Sequence, residues 1–173
     1  QELEIDNSRD WRKKHWMTIY YNYKNTPHFK DYAPFLEAVY KREWHTLHEL
    51  NEYMLRFFLE VLGLEMPFHK ASELNLAGAK SDLVLAMCKK LHADAFIFGK
   101  IGRDYAKKED FDREHIAIYF QGYNHPTYTQ QGKEFTPYMS VIDLLFNEGP
   151  KSLDVIMSGN ITKEELKKEL QLV

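Results

Sequence analysis

YNHPTYTQQGKEFTPYMSVIDLLFNEG, residues 123–149, is the stretch on which the reading of this chain turns. Its first half is polar, with His125, Tyr128 and Gln130 close together. Its second half, Met139 to Phe146, is apolar on nearly every side of a helix. A helix that is hydrophobic all round belongs inside a protein. The loop before it is therefore pinned to a buried element, and loops held by rigid scaffolds are where function concentrates.

Downstream, Pro150 to Met157 and Lys163 to Leu170 read as closing helices, the second opened by a Thr162 and Glu165 capping box. Upstream, Ile116, Ile118 and Phe120 alternate with Ala117, Tyr119 and Gln121, the period of a half-buried strand. Glu109 to Glu114 reads as a short helix, Ala95 to Phe98 as a buried strand, Ala79 to Leu91 as a helix, and Glu65 to His69 as a short strand. Val84, Met87, Cys88 and Leu91 share one face of that helix, and His92 follows at a position expected to need positive φ. The order strand, helix, strand over 65–98 predicts a βαβ unit and hence parallel pairing.

The first half carries helical signals. Thr46 to Leu62 has a Thr46 and Glu49 capping box, an apolar face of Leu50, Met54, Phe57, Phe58 and Val61, and Gly63 as its stop. Phe29 to Lys41 is a second helix, with Pro34 near its start. Trp16, Ile19, Tyr20 and Tyr23 lie at i, i+3, i+4 and i+7 of a third, which Asp6, Asn7 or Ser8 would cap and Pro27 would end. Glu2 to Ile5 alternates weakly, as a strand would. The expected fold is a single α/β domain over 1–173: a small, mainly parallel sheet flanked by helices, with an α-helical N-terminal half.

At 173 residues the chain can bury a real core, and its 11 Tyr, 11 Phe and 3 Trp favour aromatic packing or a stacking site. A net charge of −3 argues against a nucleic-acid binder. Cys88 is the only cysteine, which excludes an internal disulfide and points to a reducing, cytoplasmic setting. No run approaches the roughly 18 apolar residues of a membrane-spanning helix.

Chemistry-bearing residues fall in four places. Gly99, Lys100, Ile101, Gly102, Arg103 and Asp104 follow a strand, where α/β sheets bind ligands; the glycines would let amides approach and Lys100 and Arg103 would neutralise phosphate. The sequence there matches neither a Walker loop nor a dinucleotide fingerprint. His125 is the candidate acid or base, with Tyr128 and Gln130 to fix its tautomer or orient a substrate. Ser140 and Asp143 invite a nucleophile reading, but Ser-x-x-Asp before an apolar run reads as a capping box; first-turn amides holding an anion is a third possibility. Arg12, Lys13, Lys14 and His15 form a basic cluster, either a solvated face or a contact to phosphate or carboxylate. The eight histidines are scattered, and no metal site is expected.

HPTY at 125–128, Gln130 and FTPYMSVIDLLFNEG at 135–149 resemble the closing signature of the WbqC-like family, bacterial proteins often encoded with genes for surface-polysaccharide biosynthesis. DNSRDWRKKH at 6–15, YKNTPHF at 23–29 and GKIGRDY at 99–105 resemble earlier family segments in the same order. Family proteins usually begin with a further section that nothing here matches, so the resemblance implies that this chain is the C-terminal part of a longer protein. It also implies a transferase adding an acyl or aminoacyl group to an amino sugar, nucleotide-linked or free, as in O-antigen assembly. ATP or acyl-CoA would activate the donor. The alternative is a non-enzymatic sugar- or nucleotide-binding scaffold protein. The resemblance adds Asp104 and Tyr105 to the substrate contacts, alongside Lys100, Gly102, Arg103, Gln130, Ser140, Arg12 and His15, with His125 and Tyr128 as catalytic candidates.

Overall fold

The computed structural model describes residues 3–171. Its regular elements are α1 (Trp11–Tyr23), α2 (Phe29–Lys41), α3 (Leu47–Val61), α4 (Lys80–Lys90), β1 (Ala95–Phe98), α5 (Lys108–Arg113), β2 (Ala117–Phe120), α6 (Val141–Glu148), α7 (Ser152–Ser158) and α8 (Lys163–Leu170). They group into two units, one up to Glu65 with His125–Ser158, the other Met66–Asn124 with the chain from Gly159 on.

The first unit is helical. Its core gathers Phe29, Ala33 and Leu36 of α2 around Phe146 of α6, with Trp16, Ile19 and Tyr23 of α1 and Met54 and Phe58 of α3 packed against them. Phe146 is wholly buried, its ring centroid 5.1 Å from that of Phe29 and 5.2 Å from that of Tyr23. Burying one such side chain stabilises by ~1.5–3 kcal/mol, which is why the apolar run dictates where α6 lies. A second cluster joins Val39, Trp44 and Leu50, and the Trp44 indole N–H donates to the Val39 carbonyl at 2.8 Å. Gly149 ends α6 at φ +55°, where a Cβ would sit 2.5 Å from the His28 ring, so the turn requires glycine.

The second unit holds the sheet. β1 and β2 pair in parallel from Ala95 opposite Ala117 to Phe98 opposite Phe120, and the chain between them carries α5. Cys88, Phe98, Phe111 and Ile116 form its core. The α/β class, the parallel pairing and the helical N-terminal half are as the sequence predicts.

Local signals translate closely. α2 and α8 have their expected bounds, both Thr–Glu capping boxes form, and His92 has φ +53°. Three expectations are corrected. Residues 65–69 are not a strand: 64–70 has no regular structure, Pro67 lacks a donor, and Met66 and Phe68 are exposed. The βαβ unit is therefore β1, α5, β2, one helix later than expected. α1 starts at Trp11 with Asp10 in the cap position and no side-chain cap, because the Asp6 carboxylate accepts from Ser8 instead. Of the weak N-terminal strand, Glu4 makes a lone antiparallel bridge to Thr46, and Glu2 lies outside the described residues. Among the described residues no helix is long and apolar enough to cross a membrane.

Candidate functional site

Asp143 is the one charged residue in the apolar stretch of α6, and it is only 6% exposed. A buried carboxylate is costly without hydrogen-bond donors. The loop supplies them: the Tyr128 hydroxyl donates to Oδ2 at 2.7 Å and the Gln130 Nε2 to the same oxygen at 2.9 Å. Gln130 is itself fixed by the backbone. Its Oε1 accepts from the Thr136 N–H at 2.8 Å and its Nε2 donates to the Thr136 carbonyl at 3.0 Å, which orients the amide and obliges the NH₂ to face Asp143. The Thr129 N–H donates to Glu148 at 2.8 Å, tying the loop to the far end of the helix. The polar loop and the apolar helix are thus one construction, closed by Asp143.

The Ser140-x-x-Asp143 capping box is accordingly corrected. Ser140 does cap, its hydroxyl accepting from the Ile142 N–H at 3.3 Å. The Asp143 carboxylate faces the loop, because a phenol and a primary amide offer it more than the exposed Ser140 amide would.

Asp143 also borders a cavity of ≈ 440 Å³, within the range of small-ligand sites. α1 contributes Thr18, Ile19, Asn22 and Tyr23; the loop contributes Gln130, Gln131 and Thr136, and Met139 completes the lining. Thr18, Asn22 and Thr136 are exposed at its mouth. Burial, and then the Asp143 carboxylate, push the Tyr23 phenol up to about 12. Burial and the hydrogen bond to Asp143 do the same to Tyr128, also about 12. Both phenols therefore stay protonated and donate.

Of the residues expected at a site, only Gln130 lines this cavity; Tyr128 meets it through Asp143. His125 is held nearby in the loop. Its ring lies edge-on to Tyr138 at 4.7 Å, its Nε2 accepts from the Tyr138 N–H at 3.1 Å, and its Nδ1 is buried with no partner among the described residues. Accepting through Nε2 places the proton of the neutral ring on Nδ1. Tyr138 has φ +61° and is 81% exposed. Arg12 and His15 stand elsewhere on α1: Arg12 lies 3.9 Å from Glu43, and the His15 ring sits edge-on to Trp11 and Tyr40.

In the second unit, the Lys100–Asp104 turn is a 3₁₀ helix. Gly102 is buried, its N–H donates to the Gly99 carbonyl at 2.9 Å, and a Cβ there would meet Phe98 at 2.5 Å. The expectation that its amide cradles a ligand is corrected, since that amide is already bonded and the glycine is required for packing. The exposed Lys100 and Arg103 remain, Arg103 lying 4.8 Å from the Phe120 ring centroid; Asp104 and Tyr105 are exposed at the end of the turn. Sequence reasoning missed Thr18, Asn22, Tyr23, Gln131 and Thr136, and assigned Asp143 to a cap. The signal for Asp143 was a lone acid in a run otherwise apolar on every face.

The model of the WbqC-like protein family matches residues 1–155. The uncharacterized protein Rv1507c of Mycobacterium tuberculosis is 30% identical over 158 residues, spanning 90% of this chain and 68% of that protein. No solved structure matches.

Proposed function

The chain belongs to the WbqC-like protein family, and we propose from that membership and from the Asp143 cavity that it acts on an amino sugar in surface-polysaccharide biosynthesis, accepting an acyl or aminoacyl group onto the sugar. Membership supports the polysaccharide-related role. The observation that carries the substrate class is a buried carboxylate beside a cavity otherwise lined by amides, hydroxyls and two apolar side chains. Such a lining suits a small polyhydroxylated ligand that needs many directional contacts.

Within this reading Tyr128 and Gln130 position Asp143. His125 is the base: through Nε2, the unprotonated nitrogen of its ring, it takes a proton from the amine as the amine attacks the activated acyl carbonyl and the donor's acyl bond breaks, releasing CoA thiolate or AMP. That nitrogen now accepts from the Tyr138 N–H, so reaching a substrate requires the strained turn at Tyr138 to move. In the second unit, Lys100 and Arg103 contact phosphate through their side chains.

A second reading, a sugar-binding protein without turnover, is favoured by one observation: the cavity lining contains no histidine, lysine or cysteine. The test is a mass-spectrometric assay of the whole protein with nucleotide-linked amino sugars, amino acids, ATP and acyl-CoAs. A new amide adduct, lost in His125→Ala while sugar binding persists, is the expected result. Ligand-induced stabilisation without any adduct would overturn the transferase reading in favour of binding.

A further inference from the structure

We propose that the Asp143 cavity is a seat for a primary ammonium group, with the Asp143 carboxylate as its counter-ion and the surrounding side-chain amides and hydroxyls reading the ligand's hydroxyls. The proposal rests on the amino-sugar reading and deepens it by naming the sugar's free, protonated amine as the group the site selects.

The charge pattern makes the argument. Asp143 is the only carboxylate in the lining, which contains no lysine, arginine or histidine, and among the described residues Asp143 forms no ion pair. Its two loop donors, Tyr128 and Gln130, are neutral, and both bond Oδ2. Neutral donors reduce the cost of burying a carboxylate but leave its charge in place, so the cavity presents an uncompensated negative potential. A ligand cation entering it gains a charge-assisted hydrogen bond, whereas a phosphate is repelled.

Neutral alternatives fit less well. An acetamido group offers an N–H, but without charge it leaves the carboxylate uncompensated and adds bulk. A lone carboxylate is a poor seat for a hard divalent ion, which takes several oxygen ligands. Thr18, Asn22, Gln131 and Thr136 supply donors and acceptors of both senses, as hydroxyl recognition requires. Tyr23 and Tyr128, held protonated, direct their hydroxyls to Asp143 as neutral partners and add no further anion beside it.

The test is calorimetric titration of the whole chain with glucosamine, N-acetylglucosamine, glucose and glycine at slightly acidic pH, where the sugar amine is protonated. Glucosamine is expected to bind most tightly, and Asp143→Asn to weaken it by roughly 10- to 100-fold, the weight of one charge-assisted hydrogen bond. The asparagine keeps an acceptor for Tyr128 and Gln130. The ranking of the four probes on the unaltered chain is independent of that variant. N-acetylglucosamine or glucose binding as well as glucosamine, glycine binding in place of glucosamine, or Asp143→Asn binding glucosamine unchanged would each overturn the proposal. Failure of the transferase reading looks different: no adduct in the assay above while glucosamine still binds through Asp143.

Discussion

Replacing Gln130 by Glu tests the joint on which the candidate site rests. The two side chains are isosteric, but glutamate substitutes an oxygen for the NH₂ that now lies 2.9 Å from the Asp143 Oδ2 and 3.0 Å from the Thr136 carbonyl. Two ionised carboxylates at that separation repel by roughly 6 kcal/mol at an effective dielectric of 20. Taking up a proton at pH 7 on an ordinary glutamate costs about 3.7 kcal/mol. The third option is for the introduced side chain to swing into solvent. That forfeits the side-chain bonds of Gln130, a net of ~0.5–1.5 kcal/mol each, so roughly 2–3 kcal/mol for the group. The smallest penalty wins, and at neutral pH the variant should match Gln130→Ala.

Acid changes the outcome. Once protonated, the introduced carboxyl can donate to Asp143 as Gln130 does, so its folded-state pKa lies above the unfolded value. The stability it contributes is complete below the unfolded value, near 4.3, and is lost over the next ~2 pH units. Gln130→Glu should therefore be more stable than Gln130→Ala at pH 4 and converge with it by pH 7, about 2–3 kcal/mol below the unaltered chain. Trp11, Trp16 and Trp44 all belong to the first unit, so denaturant titration followed by tryptophan fluorescence reports on the part that contains the site. A Gln130→Glu variant as stable as the unaltered chain at pH 7, or one with a penalty constant from pH 4 to 7, would refute the assigned bonding of Gln130.

Tyr23 and Tyr128, both at about 12, should ionise after the bulk of the phenols in an ultraviolet titration; with folded values raised above the unfolded one near 10, their contribution is complete below pH 10 and lost between about 10 and 12. Tyr128→Phe should remove one of the late ionisations. Gly149→Ala should destabilise the first unit by about 2–4 kcal/mol through positive φ and a Cβ 2.5 Å from His28, and the double variant with His28→Ala should recover part of the loss; no recovery would assign the whole penalty to the backbone. Lys100→Ala with Arg103→Ala should weaken binding of a nucleoside diphosphate and lower stability by no more than ~1 kcal/mol, the weight of the exposed Arg103–Phe120 contact, whereas Gly102→Ala should lower stability by a few kcal/mol through its clash with Phe98; unchanged affinity in the former removes the phosphate contact.

What the sequence made legible was decided within a few residues. The Thr46 and Glu49 box and the bounds of α2 depend on neighbours three or four positions apart, and each is as expected. Of residues 65–69 only Phe68 is a strand-favouring type and Pro67 opposes one, and a strand exists only with a partner, pairing being a property of the fold rather than the segment. Ser140 and Asp143 show the same limit at the site. Their spacing matches a capping box as well as that of Thr162 and Glu165 does, and the latter box forms. Asp143 differs because Gln130 and Tyr128, 13 and 15 positions earlier, arrive with stronger donors.

This competition ties the fold to the chemistry. An aspartate that capped its own helix would face solvent, where its charge is screened and a ligand gains little from meeting it. Turned inward, the same carboxylate is desolvated and must be held by the loop, which makes Tyr128, Gln130 and Thr136 necessary to the structure. Its charge also stays available to the cavity, because those holders are neutral. Thr18, Asn22 and Tyr23 reach that cavity from a helix more than a hundred residues earlier, on a face chosen by how Trp16 and Ile19 pack against Phe29 and Phe146. The site was therefore invisible as a motif: one wall follows from the aromatic core, and the other from a buried charge that the loop must satisfy.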